Sequence, residues 1–232
     1  MEQEASPPRN ANSSTVCRRG EPPGVALASD ASRHAIPARV HRVEHTIHRS
    51  RFITSGAHAP DADAAHSFIQ VVRDEFPDAT HNCWAFVAGP PGSTAHIGMS
   101  DDGEPHGTAG RPMLTALLHG GVGEIVAVST RYYGGTKLGT GGLSRAYSGG
   151  VKLLLESLRI EEKVERVLVD VTVTYADVDA LQRLMEESEV TVEAEDYGAD
   201  VRYTCGVPAS TLDTFRSAVA DVSRGTGVVR EL

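Results

Sequence analysis

Residues 131–150 hold the densest concentration of usable chemistry in the chain. The stretch RYYGGTKLGTGGLSRAYSGG carries seven glycines, three cations and three tyrosines. Glycine costs backbone entropy and has no side chain to pack, so this density serves a close backbone approach or positive φ. Amides of Gly134, Gly135, Gly139, Gly141 and Gly142, flanked by Arg131, Lys137 and Arg145, suit an anion. Tyr133 or its neighbour Tyr132 would offer a face for stacking on a base, the other lying buried. An equally weighted reading is a tight strand-to-helix connection whose glycines only make room for backbone. Familiar signatures fail here. There is no Gly-Lys-Ser/Thr of a Walker A loop and no G-x-G-x-x-G after a strand. Gly142-Leu143-Ser144-Arg145-Ala146 departs from a nucleophile elbow at its last place, so Ser144 reads as a helix-start residue.

A second cluster lies in residues 101–112, DDGEPHGTAGRP. Asp101, Asp102, Glu104 and His106 are of the types that hold a divalent cation or exchange protons. Their spacing fits neither an EF-hand nor a zinc site. The favoured reading is structural: a tight turn, a cap for the next helix and a pairing with Arg111. No metal ligands, cofactor or catalytic residue is assigned.

The elements that must position these residues follow from periodicity. Residues 41–47 and 51–57 read as two strands. Residues 61–76 read as a helix, with Ala65, Phe68, Ile69 and Val72 on one face and Pro77 ending the pattern. Residues 83–88 and 94–99 read as strands and 111–119 as a short helix. EIVAVST (124–130) is apolar on both faces and therefore central; residues 143–158 form the helix after the glycine-rich loop. Residues 167–232 then read strand, helix, two strands, helix, strand, which is the split-βαβ, ferredoxin-like order.

Composition bounds the class. The chain has 232 residues, 40% of them hydrophobic, with a mean hydropathy of −0.22. No apolar run approaches the ~20 residues that span a bilayer. The start, MEQEASPPRN, has no apolar stretch of a secretory signal, and Cys17, Cys83 and Cys205 are odd in number and scattered. A cytoplasmic protein with no membrane partner is expected. The net charge of −9 is uneven: residues 161–232 carry 7 basic and 16 acidic side chains, a balance of −9, so this third supplies the whole excess. Residues 131–160, in contrast, carry Arg131, Lys137, Arg145, Lys152 and Arg159 against Glu156 alone. The basic segment suits phosphate and the acidic module repels it.

Four blocks in order, SRFIT (50–54), DATHNCWAF (78–86), SDDGEPHGTAGRP (100–112) and VSTRYYGGTKLGTGGLSRAYS (128–148), resemble the IMPACT family, most closely its bacterial YigZ-type branch. The signature block is matched by Arg131, Tyr132, Tyr133, Gly134, Gly135, Leu138 and Gly139. The resemblance implies an α+β protein. Its N-terminal β/α domain would share the superfold of a ribosomal protein domain and an elongation factor G domain, and its C-terminal domain would be ferredoxin-like. The expected division is a disordered tail over 1–38, the IMPACT-type domain over 39–160, a linker over 161–166 and the ferredoxin-like domain over 167–232. The resemblance implies that eukaryotic relatives act on a starvation-responsive kinase pathway through an extra N-terminal recognition domain; residues 1–38 are expected to be too short and too poor in apolar residues to form it, so a kinase-pathway partner is not expected. The leading expectation is a non-catalytic protein connected with translation, contacting RNA or a ribosomal component. The contact would lie in a cleft between residues 101–111 and the glycine-rich loop. The rivals are an enzyme acting on a small phosphorylated metabolite or nucleotide, and a protein-interaction module using the acidic C-terminal domain.

Overall fold

The structure, a computed structural model, describes residues 32–232. Within the expected tail, residues 1–31 lie outside the described residues.

The N-terminal half is built on a five-stranded antiparallel sheet. Its strands are β2 (His41–Ile47), β3 (Ser50–His58), β4 (His81–Val87), β5 (Ile97–Ser100) and β6 (Ile125–Tyr132), in the order β2-β3-β6-β4-β5. β6 pairs with β3 and β4, and its apolar residues are buried on both faces, as a central strand requires. β2 and β3 meet in a two-residue turn, with His48 at φ 44° and Arg49 at φ 67°. Helix α1 (Ala62–Glu75) starts where the Asp61 carboxylate accepts the Ala64 amide at 2.7 Å, and buries Ile69 and Val72 against Phe86, Val126 and Val128. The other face of the sheet is covered by α2 (Gly110–Leu118) and α3 (Gly139–Ser157) through Met113, Leu117, Tyr147, Val151 and Leu154.

The C-terminal half has β8 (Arg166–Val173), α4 (Val178–Glu187), β9 (Thr191–Tyr197), β10 (Val201–Pro208), α5 (Leu212–Val222) and β11 (Val228–Glu231). Strand order β11-β8-β10-β9 with both helices against one face is the ferredoxin-like arrangement. Val169, Val171, Leu181, Tyr203 and Phe215 fill a core of its own. Burial there pushes the Cys205 thiol up to about 11, as for a packing residue rather than a reactive one.

Two boundary expectations are corrected. Arg33–Pro37 is a strand, β1, where a tail was expected, and Ile160–Val164 is a strand, β7, where a linker was expected to begin at 161. The two pair antiparallel as a separate ribbon, from Arg33 opposite Val164 to Pro37 opposite Ile160. The ribbon is fastened because His34 and Ile36 turn inward and the Gly123 amide donates to the Ala35 carbonyl at 2.9 Å. Arg33 then bridges Glu162 to Glu189, tying the ribbon to the turn before β9.

Candidate anion-binding cleft

The glycine-rich segment is less of a loop than its composition suggests. β6 continues to Tyr132 and α3 begins at Gly139, four residues before the expected start, so Gly139, Gly141 and Gly142 form its first turn. Glycine is a poor helix former, and this turn is held by the burial of Leu143, Ala146 and Tyr147 just beyond it. No side chain caps α3 at Leu138, which leaves the Gly139, Thr140 and Gly141 amides without intrahelical partners. Gly134 serves close approach: a Cβ there would lie 2.1 Å from the carbonyl carbon of Arg49, in the β2–β3 turn. Its amide donates to Ser50 Oγ at 3.2 Å. Gly135 faces open space at φ +82°, which a side chain rarely adopts.

Arg131 corrects an expectation. It was expected as a solvent-facing cation for phosphate, but only 5% of it is exposed, because it sits where β6 passes under the loop of residues 101–109. Its Nη1 donates to Glu104 Oε1 at 2.5 Å and its Nη2 to Ser50 Oγ at 3.3 Å. The guanidinium also lies 5.5 Å from the ring centres of both Phe52 and Tyr133. Glu104 accepts a second bond from the Tyr147 hydroxyl at 2.7 Å. Burial first, and then the neighbouring Cys83 and Glu104, push the Tyr147 phenol far up, so it stays a proton donor. Arg131 Nε has no hydrogen-bond partner among the described residues. Neither tyrosine of the pair is fully buried. Tyr132 is half-buried and donates to Asp78 Oδ1 at 2.9 Å, while Tyr133 is 48% exposed.

In the acidic loop the structural reading prevails for Asp101 and Asp102. Asp101 accepts the amides of Gly107 (2.7 Å), Ala109 (3.0 Å) and Gly110 (2.9 Å), which anchors the start of α2. Burial acts to raise its pKa, but those three amides outweigh it and hold the carboxylate below its ordinary value. Asp102 divides its oxygens between Arg73 and the Asn82 amide, both at 2.7 Å. From β4, His81 and Cys83 bond the carbonyls of Asp102 and Asp101 (2.8 and 2.9 Å), clamping the loop to the sheet. His106 projects into solvent, its Nδ1 3.8 Å from Asp101. Arg111, expected to pair with Asp101 or Glu104 and line the cleft, does neither. Glu104 is taken by Arg131, and Arg111 faces a neighbouring groove between α2 and α3.

What remains is a cavity of about 450 Å³ between the two segments. It is lined by Glu104, Arg131, Tyr133, Lys137, Thr140 and Leu143 together with Gly139 at the helix start. Lys137 is exposed and makes no ion pair among the described residues, and the same holds for Arg145. Arg145 lies beside the first turn of α3, its Nη1 3.6 Å from where a Cβ on Gly141 would be. The free cations are thus Lys137 and Arg145, and the buried one is neutralised. Residues 101 and 102 support the walls rather than line them. Sequence reasoning missed Ser50, Thr140 and Tyr147. For Tyr147 a signal existed, since Leu143, Tyr147, Val151 and Leu154 recur at helical spacing and mark the inward face.

Residues 48–155 match the Impact N-terminal domain, and residues 171–226 match a domain of unknown function, DUF1949. The chain is 44% identical over 191 residues to the IMPACT family member YigZ of Escherichia coli (strain K12), covering 82% of this chain and 94% of that one. The chain belongs to the IMPACT family. A second relative, the IMPACT family member YvyE of Bacillus subtilis (strain 168), is 32% identical over 189 residues, covering 81% of this chain and 86% of that one. A crystal structure of a hypothetical protein is 41% identical and superposes with a TM-score of 0.63, covering 87% of this chain and 98% of the other. The IMPACT match spans the acidic loop, the signature block and the cavity between them. The cleft therefore belongs to the part of the chain that defines the family, and the ferredoxin-like half to its companion domain. No helix among the described residues is long and apolar enough to cross a membrane.

Proposed function

We propose that this IMPACT family chain is a non-catalytic cytoplasmic protein of translation that binds RNA phosphate at the cleft. The observation that supports this most is the convergence of donors with no protein acceptor. Among the described residues, Lys137 on the cavity wall makes no ion pair, no side chain caps the first turn of α3, and Arg131 Nε is buried without a partner; Arg145, also without an ion pair, stands beside that first turn without lining the cavity. A helix N-terminus flanked by cations attracts phosphate through both its amides and its dipole. Tyr133, held over the Arg131 guanidinium and nearly half exposed, adds a face on which an unpaired base stacks. The enzymatic alternative, resting on Asp101, Asp102 and Glu104, asks for carboxylates free to meet a ligand, whereas both oxygens of Asp101 and Asp102 are already bonded within the fold and Glu104 is paired with Arg131 and Tyr147 through Oε1.

Such binding is mainly electrostatic, so affinity for single-stranded RNA falls steeply with salt and shows little sequence preference. Lys137→Glu combined with Arg145→Glu is expected to abolish it while circular dichroism stays unchanged. Neutralising either cation alone lowers the salt slope by about one. Filter-binding titrations at several salt concentrations measure both. Absence of RNA or ribosomal-subunit binding by the unaltered chain at low salt overturns the reading and returns the glycines to packing.

A further inference from the structure

A larger cavity than the cleft lies on the far side of residues 104–107, between the outer edges of α2 and α3. Its volume is about 690 Å³, within the ~300–1,000 Å³ typical of small-molecule sites. The two helices pack over the sheet through large residues, among them Met113, Leu117, Tyr147 and Val151. Ala116 on α2 and Ser144 and Ser148 on α3 line the cavity, and side chains this small leave a trough beside that packing. Leu155 closes one end against Gly120, where a Cβ would come within 2.6 Å of Leu155 Cδ1.

The lining is of two kinds. Pro112, Ala116 and Leu155 make an apolar floor. Arg111 on the α2 wall and Lys152 on the α3 wall stand over it, both exposed and neither ion-paired among the described residues. Glu156 also lines the trough, one turn from Lys152, without pairing to it. Two cations against one carboxylate leave an unmatched positive charge on an apolar trough. A neutral ligand would waste that charge, and a bare inorganic anion would leave the floor wet. We infer that the α2–α3 groove is a second ligand site, separate from the cleft, and that its ligand is a small aromatic anion. The flat ring lies on Pro112, Ala116 and Leu155, and the anionic group sits between Arg111 and Lys152. The inference does not rest on RNA binding at the cleft, because the groove and the cavity at Lys137 share no lining residue.

The probe is 8-anilinonaphthalene-1-sulfonate, an aromatic monoanion whose fluorescence rises on leaving water, titrated into the full chain at neutral pH. The expected result is a saturable single site. Arg111→Ala with Lys152→Ala weakens it at least tenfold, which corresponds to about 1.4 kcal/mol. The uncharged analogue N-phenyl-1-naphthylamine binds at least tenfold more weakly. Ala116→Trp, which fills the trough, removes the site, with circular dichroism confirming that each variant is folded. Lys137→Glu, the cleft variant, leaves the titration unchanged, so failure of this site and failure of the RNA reading are distinguishable. Loss of the dye in Lys137→Glu, equal binding by the Arg111/Lys152 double variant, or equal binding of the neutral analogue overturns the inference.

Discussion

The acidic loop and the start of α3 face each other across one cavity, yet they use their polar groups in opposite ways. Asp101 accepts three amides, Asp102 an amide and a guanidinium, and Glu104 a guanidinium and a phenol. Across the gap Lys137, and beside the helix start Arg145, make no ion pair among the described residues, and no side chain of these residues caps the first turn of α3. The first wall has spent its charge on holding its own shape. The second has kept its charge for something else. Counting ionisable residues does not separate the two walls; asking which of them lack a partner does. Arg131 marks the border, since it belongs by sequence to the basic wall but by its partner Glu104 to the acidic one.

The strongest way to break this comparison is to remove the pair at the border. Glu104→Ala leaves the Arg131 guanidinium buried without its carboxylate and the Tyr147 hydroxyl without its acceptor. A buried pair broken from one side costs about 3–5 kcal/mol, and urea denaturation should show a loss of that size. Replacing both partners with apolar residues, Glu104→Leu with Arg131→Met, should recover most of it, because no orphaned charge remains. A loss under about 1 kcal/mol for Glu104→Ala would mean that the pair does not hold the two walls together.

How far the sequence could be read depends on how local each signal is. β6 was legible because seven consecutive residues with no polar alternation can only be central, and α1 because Asp61 and Pro77 punctuate a clear apolar stripe. The ferredoxin-like half follows from alternation in RVLVDVTV and VRYTCGVP, whose inward residues are Val169, Val171, Val201, Tyr203 and Cys205. The β1–β7 ribbon was not legible. RHAIP and IEEKV are short, one ends in proline and the other is charged, and each becomes a strand only by meeting the other across more than half of the chain. The same holds for the cleft. That Arg131 is buried, and that Arg111 turns toward α3, are consequences of which elements pack together, and an arginine's type alone predicts exposure. Lys137 and Arg145 are exposed, as long charged side chains usually are.

The ribbon offers a second, smaller test of spent against free charge. Glu124, at the entry to β6 and at φ 47°, is buried. It accepts His58 Nε2 at 2.7 Å and Lys163 Nζ at 2.5 Å, with His34 Nε2 at 3.6 Å, so one carboxylate joins β1, β3 and β7. Burial acts to raise its pKa, but the bonds from Lys163 and His58 outweigh it and the net shift is downward. A carboxylate depressed in the fold stabilises it above the unfolded value of about 4.3, and that contribution is lost as the pH falls through the lower folded value. Glu124→Gln should therefore cost about 1.5–3 kcal/mol at pH 7, the usual worth of charged hydrogen bonds, and the gap from the unaltered chain should narrow as the pH falls below the ordinary carboxylate range. Urea midpoints measured across that range check the sign. A gap that does not change with pH across the acid range would show that shape at residue 124, and not its charge, fastens the ribbon.

The smallest expected effect separates the two uses of glycine at the open wall. Gly141 is the third residue of α3, and a Cβ there would meet only Arg145 Nη1, at 3.6 Å. Nothing in the fold requires a glycine at this place, unlike Gly134, whose missing Cβ admits the Arg49 backbone. Gly141→Ala should therefore raise stability by about 0.5–1 kcal/mol, since alanine loses less backbone entropy in a helix. If the bare amides of the first turn are what a phosphate approaches, the same methyl group should weaken RNA binding several-fold, a gain in stability set against a loss of function. Thermal melts and RNA titrations on the one variant read both quantities. A chain that becomes more stable and binds RNA as before would show that the ligand is held by Lys137 and Arg145 from above, without touching the helix end.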